Sequence, residues 1–176
     1  MIDYLKLTLI SFIIYYFYTL IIFICGVIKK NTIKKINNEK LIGISIIIAV
    51  RNGQKNLSRL LDSLINQSYL GAMEFIIVDD ESSDITKDII QEWEKKDSRI
   101  KYQTSLEGDS QLKYKKRAID AGIKSAKNDF FAFTDVDCLP AKDWIKGMVK
   151  QFNNGADYIV GLSIVPPSNH LVGQFQ

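Results

Sequence analysis

Histidine and cysteine are scarce in this 176-residue chain, and their scarcity excludes several kinds of site. The single histidine, His170, rules out a site built from several imidazoles, and we expect it to be incidental. The two cysteines, Cys25 and Cys138, lie far apart and outside any CxxC pair, so a disulfide framework is not expected. We expect Cys138 to be a small packing residue.

Two common nucleotide-binding patterns and a strong charge bias are also missing. Neither a Walker phosphate loop nor a G-x-G-x-x-G pattern occurs, which argues against ATPases and dehydrogenases. The net charge of +3 is small and the positive charge lies in short clusters, so no nucleic-acid partner is expected. Apolar residues make up 47% of the chain and charged residues 24%, which fits a globular protein and argues against disorder.

A long uncharged run is present near the amino terminus. Residues 7–28 form an apolar stretch of 22 residues, about 33 Å of helix at about 1.5 Å per residue. A cleaved signal peptide would have a shorter apolar core and an A-x-A-like cleavage site, and a buried core helix would keep a polar face. We therefore predict a transmembrane anchor over residues 1–30, with the lipid bilayer as a partner.

The charges that flank this run predict its orientation. Only Lys6 and the amino terminus carry positive charge before the run, whereas five lysines follow it closely. The positive-inside rule therefore places residues 29–176 in the cytoplasm. We predict a single-pass protein of the cytoplasmic membrane with its amino terminus outside, a basic juxtamembrane linker over 31–40, and one domain over 41–176. The lysines that follow the run are Lys29, Lys30, Lys34, Lys35 and Lys40.

After residue 40, apolar patterns of strand and helix type alternate. This alternation predicts an α/β fold, a Rossmann-like and mostly parallel sheet with flanking helices and right-handed crossovers. The predicted strands are 41–50, 74–78, 100–102, 130–134 and 158–163. The predicted helices are 57–65, 85–93, 119–126 and 140–152.

Three of the predicted strands end in polar residues. In an open parallel sheet, ligands bind at the carboxyl ends of the strands. The three polar segments are residues 49–53, 78–84 and 134–138, and two of them are rich in aspartate. Neighbouring carboxylates repel one another unless a cation or a hydrogen-bonding ligand is present. A Mg²⁺ or Mn²⁺ ion bound by carboxylates and substrate phosphates would satisfy them, which indicates a nucleotide diphosphate ligand.

Each of these features alone has an ordinary structural explanation. Residues 79–84 could be only a turn and a helix cap, because Asp and Ser favour such places. The Asp135-x-Asp137 pattern could be a solvated turn, and the basic residues in 113–117 could be the charged start of a helix. Their occurrence together, in this order along the chain, is stronger evidence for a ligand site than any one of them alone.

Four sequence blocks resemble the family 2 glycosyltransferases. They are ISIIIAVRNG, EFIIVDDESSD, KKRAIDAGI and FFAFTDVDCLPAKDW, and the resemblance covers about residues 41–170. It implies the glycosyltransferase A fold, a single nucleotide-binding α/β domain. It also implies inverting transfer of a sugar to a glycan or lipid acceptor in cell-envelope polysaccharide synthesis, with a UDP-sugar as the expected donor.

The resemblance also implies roles for residues near the nucleoside. Ala49, Arg51 and Asn52 are expected to lie along the nucleoside. Asp80 matches the acidic residue that hydrogen-bonds the base, usually uracil, and Asp79 is expected to support the turn.

A second group matches the part of the site that holds the diphosphate. Lys115 or Lys116 matches a basic residue near the diphosphate. Asp135 and Asp137 match the D-x-D motif, with Asp137 the expected direct ligand of Mg²⁺ or Mn²⁺. Asp135 is expected to contact the ribose or the sugar-phosphate, directly or through water, and is the second candidate metal ligand.

The chain departs from the family pattern at three places. Arg51 replaces a frequent tyrosine, so the resemblance does not assign base stacking at this position. Tyr114 replaces a frequent glycine before the lysine pair, so a different local backbone is expected at Tyr114. Family members continue into an acceptor-side half that contains the acidic general base; no acidic residue follows Asp157, so we expect the base beyond Gln176.

Two alternatives to a complete transferase follow. One is a catalytically incomplete, membrane-tethered fragment that binds a nucleotide sugar. The other is a sugar-phosphate nucleotidyltransferase, which would need a glycine-rich basic loop after the first strand. Residues 51–53 are a poor substitute for such a loop.

Overall fold

The computed structural model describes residues 2–28 and 40–162. The chain divides into two compact units, Met1–Lys35 and Ile36–Gln176. The predicted linker over 31–40 lies outside the described residues except for Lys40, so the predicted boundaries around it stay predictions.

The first unit contains one helix, α1, which spans Ile2–Ile28. Within it, Lys6–Cys25 has a mean hydropathy of 2.3, and none of this stretch is buried. The hydroxyl groups of Ser11 and Thr19 donate to main-chain carbonyls one turn earlier, at 2.7 and 2.8 Å. The helix is therefore long and apolar enough to cross a membrane, and these hydroxyls would not be left unpaired in an apolar phase.

The second unit is built on a four-stranded parallel sheet. The strand order is β3-β2-β1-β4, and each neighbouring pair is parallel. Helices flank this sheet, which confirms the predicted α/β fold. The strands are β1 (Ile44–Val50), β2 (Met73–Asp79), β3 (Ile100–Thr104) and β4 (Phe130–Phe133). The helices are α2 (Leu57–Ile65), α3 (Thr86–Lys96), α4 (Lys115–Ser125) and α5 (Trp144–Asn153).

The central strand β1 is apolar on both faces because both faces are covered. Ile46 and Ile48 belong to a large core cluster that includes the buried side of α2. Ile47, on the opposite face, packs in a smaller cluster with two alanines of α4. A methyl group at Gly122 of α4 would lie 2.4 Å from Cγ2 of Ile47, so this close approach of α4 to the sheet depends on glycine.

A buried carboxylate joins strands at the amino edge of the sheet. Glu74 is 5% exposed, and its Oε1 accepts hydrogen bonds from Ser45 Oγ at 2.7 Å and Lys127 N at 2.6 Å. Its Oε2 forms an ion pair with Lys101. Burial raises the pKa of Glu74, but the hydrogen bonds from Lys101, Ser45 and Lys127 outweigh burial and lower the pKa below its usual value.

The largest difference from the prediction lies after α5. Of the strand predicted over 158–163, residues 158–162 are described and form no strand, so that prediction is wrong for them. Tyr158, Val160 and Leu162 are at least 77% exposed. Their alternating apolar pattern resembles a strand, but a strand also needs a backbone partner, which periodicity does not reveal.

Several element boundaries also shift. α4 begins at Lys115, before the first apolar residue of its predicted helix, and α5 begins at Trp144 instead of Pro140. A short 3₁₀ turn, Ser105–Glu107, lies between β3 and α4, where no element was predicted. These shifts are of the kind expected where apolar periodicity defines a helix but not its ends.

Candidate functional site

The carboxyl ends of three strands open on one cleft. β1 lies between β2 and β4, so the loops that follow these three strands are neighbours. The cleft has a volume of about 400 Å³. Its lining residues are Ala49, Val50, Arg51, Asn56, Asp80, Lys115, Asp135, Val136 and Asp137.

Most of the residues proposed from the sequence meet in this cleft. The predicted site residues that line the cleft are Ala49, Arg51, Asp80, Lys115, Asp135 and Asp137. Asn52, Asp79 and Lys116 are not among the lining residues. The cleft therefore combines two basic side chains with three carboxylates, although these five groups come from four separate segments of sequence.

Asp79 is the last residue of β2 and is almost fully buried. Its Oδ1 accepts a hydrogen bond from the main-chain N–H of Ser82 at 3.1 Å. Glu81, between them, has a φ of 55°, in the left-handed region that few non-glycine residues adopt. Asp79 therefore shapes the tight turn that presents Asp80 to the cleft, and does not line the cleft itself.

Asn52 is exposed but lies outside the cleft lining. Its Oδ1 accepts a hydrogen bond from Ser83 N at 2.8 Å, and its own N–H donates to Ser82 Oγ at 2.9 Å. The Asn52 side chain is therefore engaged with the loop after β2, and its expected place along the nucleoside stays a prediction.

Lys115 and Asp135 form an ion pair across the cleft. Their side chains are 58% and 56% exposed, so the pair contributes little to stability. The contact instead holds a cation and a carboxylate side by side at the start of α4. Lys116 is exposed and outside the cleft lining, which makes Lys115 the better placed of the two candidate lysines.

Tyr114, directly before α4, has a φ of 55° and a ψ of −144°. This is a backbone conformation that glycine adopts readily and other residues adopt at a cost. The expected difference in local backbone from the relatives stays a prediction. The chain adopts a glycine-type conformation at this position with a tyrosine in place.

The two aspartates after β4 suit a metal ion that is also bound by the phosphates of a ligand. Within residues 2–28 and 40–162, no group of three or more His, Cys, Asp or Glu side chains is placed to hold a metal ion. Mg²⁺ is commonly bound by only one or two carboxylates together with substrate phosphates. Asp135 and Asp137, one residue apart on the rim of the cleft, fit that mode and do not form a complete protein cage.

Three lining residues, Val50, Asn56 and Val136, had no individual role predicted from the sequence, although Val50 belongs to the loop 49–52 that was expected along the nucleoside. A methyl group at Gly53 would lie 2.4 Å from Val50 Cγ2 and 3.2 Å from Val136 Cγ2, so the glycine leaves room for both valines. Asn56 precedes α2 but makes no side-chain cap hydrogen bond. Its position between a strand and a helix was a usable signal, because such junctions border the ligand edge of the sheet.

Comparison with known proteins agrees with this arrangement. The model of the glycosyl transferase family 2 matches residues 45–171. A GalNAc(5)-diNAcBac-PP-undecaprenol beta-1,3-glucosyltransferase of Campylobacter jejuni is 28% identical over 135 residues, which are 75% of this chain and 41% of that protein. A dolichyl N-acetyl-alpha-D-glucosaminyl phosphate 3-beta-D-2,3-diacetamido-2,3-dideoxy-beta-D-glucuronosyltransferase of Methanococcus voltae is 32% identical, covering 62% of this chain and 33% of its own. The chain thus spans less than half the length of these relatives.

Solved structures share the fold. A mannosyltransferase of Pyrobaculum calidifontis, in complex with GDP-Man and Mn²⁺, superposes with a TM-score of 0.53 at 22% identity, covering 67% of this chain and 33% of its own. Glucosyl-3-phosphoglycerate synthase of Mycobacterium tuberculosis, in complex with Mn²⁺ and UDP, gives 0.51 at 18% identity, covering 63% and 39%. At these identities the likeness establishes the glycosyltransferase A type of fold alone. Because the family model matches most of the second unit, the chain belongs to glycosyltransferase family 2.

Proposed function

We propose that this chain forms the donor-binding part of an inverting, metal-dependent glycosyltransferase. Its donor is a nucleotide diphosphate sugar, with UDP as the nucleotide, and its acceptor is a glycan or a lipid-linked sugar of the cell envelope. The observation that carries the proposal is the convergence of Arg51, Asp80, Lys115, Asp135 and Asp137 on one cleft at the strand ends. The relatives from Campylobacter jejuni and Methanococcus voltae are named for transfer to lipid-linked sugars, which supports the acceptor class.

Each polar residue of the cleft suits one part of such a donor. Asp80 is half-buried beside the end of β1, where its carboxylate can accept a hydrogen bond from the N–H of a uracil base. Lys115 supplies a flexible positive charge for the diphosphate. Asp137 and Asp135 would hold Mg²⁺ or Mn²⁺, which when bound neutralises the departing nucleoside diphosphate.

The ion pair between Lys115 and Asp135 suits a site that exchanges partners on binding. Each of these two charges is compensated by the other. A bound diphosphate offers Lys115 a stronger partner, and Asp135 is then free to contact the ribose, the sugar-phosphate or the cation. Both side chains are more than half exposed, so this exchange needs no rearrangement of the core.

Calorimetry with UDP, with and without Mn²⁺, tests the proposal on the 176-residue chain in detergent. The folded protein should bind UDP more tightly with Mn²⁺ than without it. Asp137→Ala should remove most of this metal dependence, whereas Asp80→Ala should weaken UDP binding in both conditions, because its partner is the base. Asp62→Ala is the matched control, since it removes an exposed carboxylate of α2 away from the cleft. A folded wild-type protein with no metal-dependent affinity for UDP would overturn the proposal.

For the cell, we propose that α1 anchors the protein in the cytoplasmic membrane with the amino terminus outside and residues 29–176 in the cytoplasm. The apolar stretch Lys6–Cys25 supports the anchor, and the lysines that follow it support the orientation. A membrane-impermeant maleimide on intact cells is the test, with the native cysteines replaced by alanine. Asp3→Cys should be labelled and Thr32→Cys should not; the reverse pattern would refute the orientation.

A further inference from the structure

We propose that Asn52 and Thr86 are positioning residues that preorganise the cleft for its nucleoside. They do so by joining the loop after β1 to the loop after β2, through side-chain hydrogen bonds that we call the loop clamp, formed by residues 52–54 and 82–86. This inference rests on the proposed function of the cleft as a nucleotide site. Neither residue lines the cleft, so both act through Arg51 and Asp80, which do.

The first half of the clamp is reciprocal. Asn52 N donates to Ser82 Oγ at 2.9 Å, and Ser83 N donates to Asn52 Oδ1 at 2.8 Å. The hydroxyl of Ser83 also donates to the same Oδ1, at 3.3 Å. One asparagine thereby provides both a main-chain donor and a side-chain acceptor to the opposite loop.

The second half passes through a fully buried hydroxyl. Gly53 N donates to Thr86 Oγ1 at 2.8 Å, and Thr86 is 0% exposed. The same hydroxyl donates to Asp84 Oδ1, while Asp84 Oδ2 accepts from Gln54 N at 3.2 Å. The hydrogen bond from the Thr86 side chain is the main cause that lowers the pKa of Asp84.

The clamp holds backbone conformations that are unfavourable by themselves. Asn52 and Glu81 have φ values of 53° and 55°, and each directly follows a residue that lines the cleft. Left-handed backbone at a non-glycine residue persists where the surroundings over-determine it. Asp80 N also donates to Val50 O at 2.8 Å, which continues the β1–β2 pairing into the loops. The clamp therefore fixes the path of both loops just beyond Arg51 and Asp80.

This arrangement predicts a selective effect on binding. Preorganised contact groups lose less conformational freedom when a ligand binds, so loosening them lowers affinity. The clamp joins the loops after β1 and β2, whereas Asp135 and Asp137 lie on the loop after β4. Loss of the clamp should therefore weaken the nucleoside contacts and leave the metal dependence of binding unchanged.

The test uses paired variants of the 176-residue chain in detergent, with UDP as the probe. Thr86→Val removes the hydroxyl at nearly constant volume, and Asn52→Gly removes the acceptor while tolerating the positive φ. Each should raise the Kd for UDP about tenfold, by analogy with the lower end of the range found when partners that orient metal ligands are removed. The ratio of the Kd values without and with Mn²⁺ should match the wild-type ratio.

Conservative variants separate positioning from folding. Thr86→Ser and Asn52→Asp keep the acceptor oxygens and should restore affinity close to the wild-type value. Ser63→Ala, which removes a hydroxyl bonded only within α2, should leave affinity unchanged. Thermal unfolding of every variant shows whether the loss of binding exceeds any loss of folded protein. If Thr86→Val does not fold, the inference is tested with Asn52→Gly alone.

The outcomes are distinct. Folded clamp variants that bind UDP as tightly as the wild type would overturn this inference and leave the proposed function intact. The inference would also be overturned if the clamp variants changed the ratio of the Kd values without and with Mn²⁺, as Asp137→Ala should. The loss of the clamp would then affect the whole cleft and not the nucleoside contacts alone. A wild-type protein that does not bind UDP would remove both proposals.

Discussion

Replacing Tyr114 by glycine should stabilise the protein, although it removes an aromatic side chain. The φ of 55° and ψ of −144° are unfavourable for tyrosine because of its Cβ, and glycine has none. The side chain is 74% exposed, so its removal sacrifices little packing. The main-chain carbonyl of Tyr114, which accepts hydrogen bonds from Arg117 N and Ala118 N, is kept.

The magnitude follows from two opposing effects. Relief of backbone strain at such a residue is worth about 1–3 kcal/mol. The greater freedom of glycine in the unfolded chain opposes this by about 0.5–1 kcal/mol. The free energy of unfolding should therefore rise by up to about 2.5 kcal/mol, and the Tm by about 3 °C per kcal/mol for a unit of this size.

Tyr114→Ala is the matched control, because it removes the ring but keeps the Cβ that causes the strain. It should lie within about 0.5 kcal/mol of the wild type. Denaturant unfolding followed by tryptophan fluorescence suits the comparison, since both tryptophans, Trp93 and Trp144, belong to the second unit. If the glycine variant were no more stable than the alanine variant, the strain at Tyr114 would be refuted.

Two further predictions concern the core. Gly122→Ala places a methyl group 2.4 Å from Ile47 and should destabilise the fold by about 1–2 kcal/mol, because overpacking exceeds the gain in helix propensity. Gly147→Ala in α5 should instead stabilise the fold by up to about 1 kcal/mol, because a methyl group there would have no atom within 4 Å. If denaturant unfolding showed that both alanine variants stabilise or both destabilise the fold, this prediction would be contradicted. Glu74→Gln should lower the free energy of unfolding at pH 7 by about 1–3 kcal/mol. Because folding lowers the pKa of Glu74, its ionised form stabilises the protein above the unfolded pKa of about 4.3, and this difference should shrink as the pH falls through the folded pKa. A difference that stayed constant down to pH 3 would refute the role of the charge.

The sheet and the main cleft residues could be predicted from the sequence because they depend on local patterns. β1 and β2 are almost continuous apolar runs, and such runs indicate strands covered on both faces. Parallel strands end at one edge, so the aspartates after β2 and β4 were expected at the same edge, whereas the strand order, with β1 between β2 and β4, was not predicted.

The orientation of side chains between loops could not be predicted in the same way. Asn52 has polar neighbours in sequence, but its partners Ser82 and Ser83 are 30 and 31 residues away. Such a contact depends on the three-dimensional path of two turns, and apolar periodicity carries no information about it. The strand predicted over 158–163 failed for a related reason, since pairing also depends on distant residues.

The pairing register of β1 with β2 determines the relative positions of two charged residues in the cleft. Val50 pairs with Asp79, so the next residues along each strand, Arg51 and Asp80, leave the sheet at the same level. A slip of one residue would displace them by about 3.3 Å and turn the side chains of one strand to the opposite face. The buried isoleucines of β1 thus set the spacing of charges that they never touch, and packing variation in the core is a route by which ligand preference could drift.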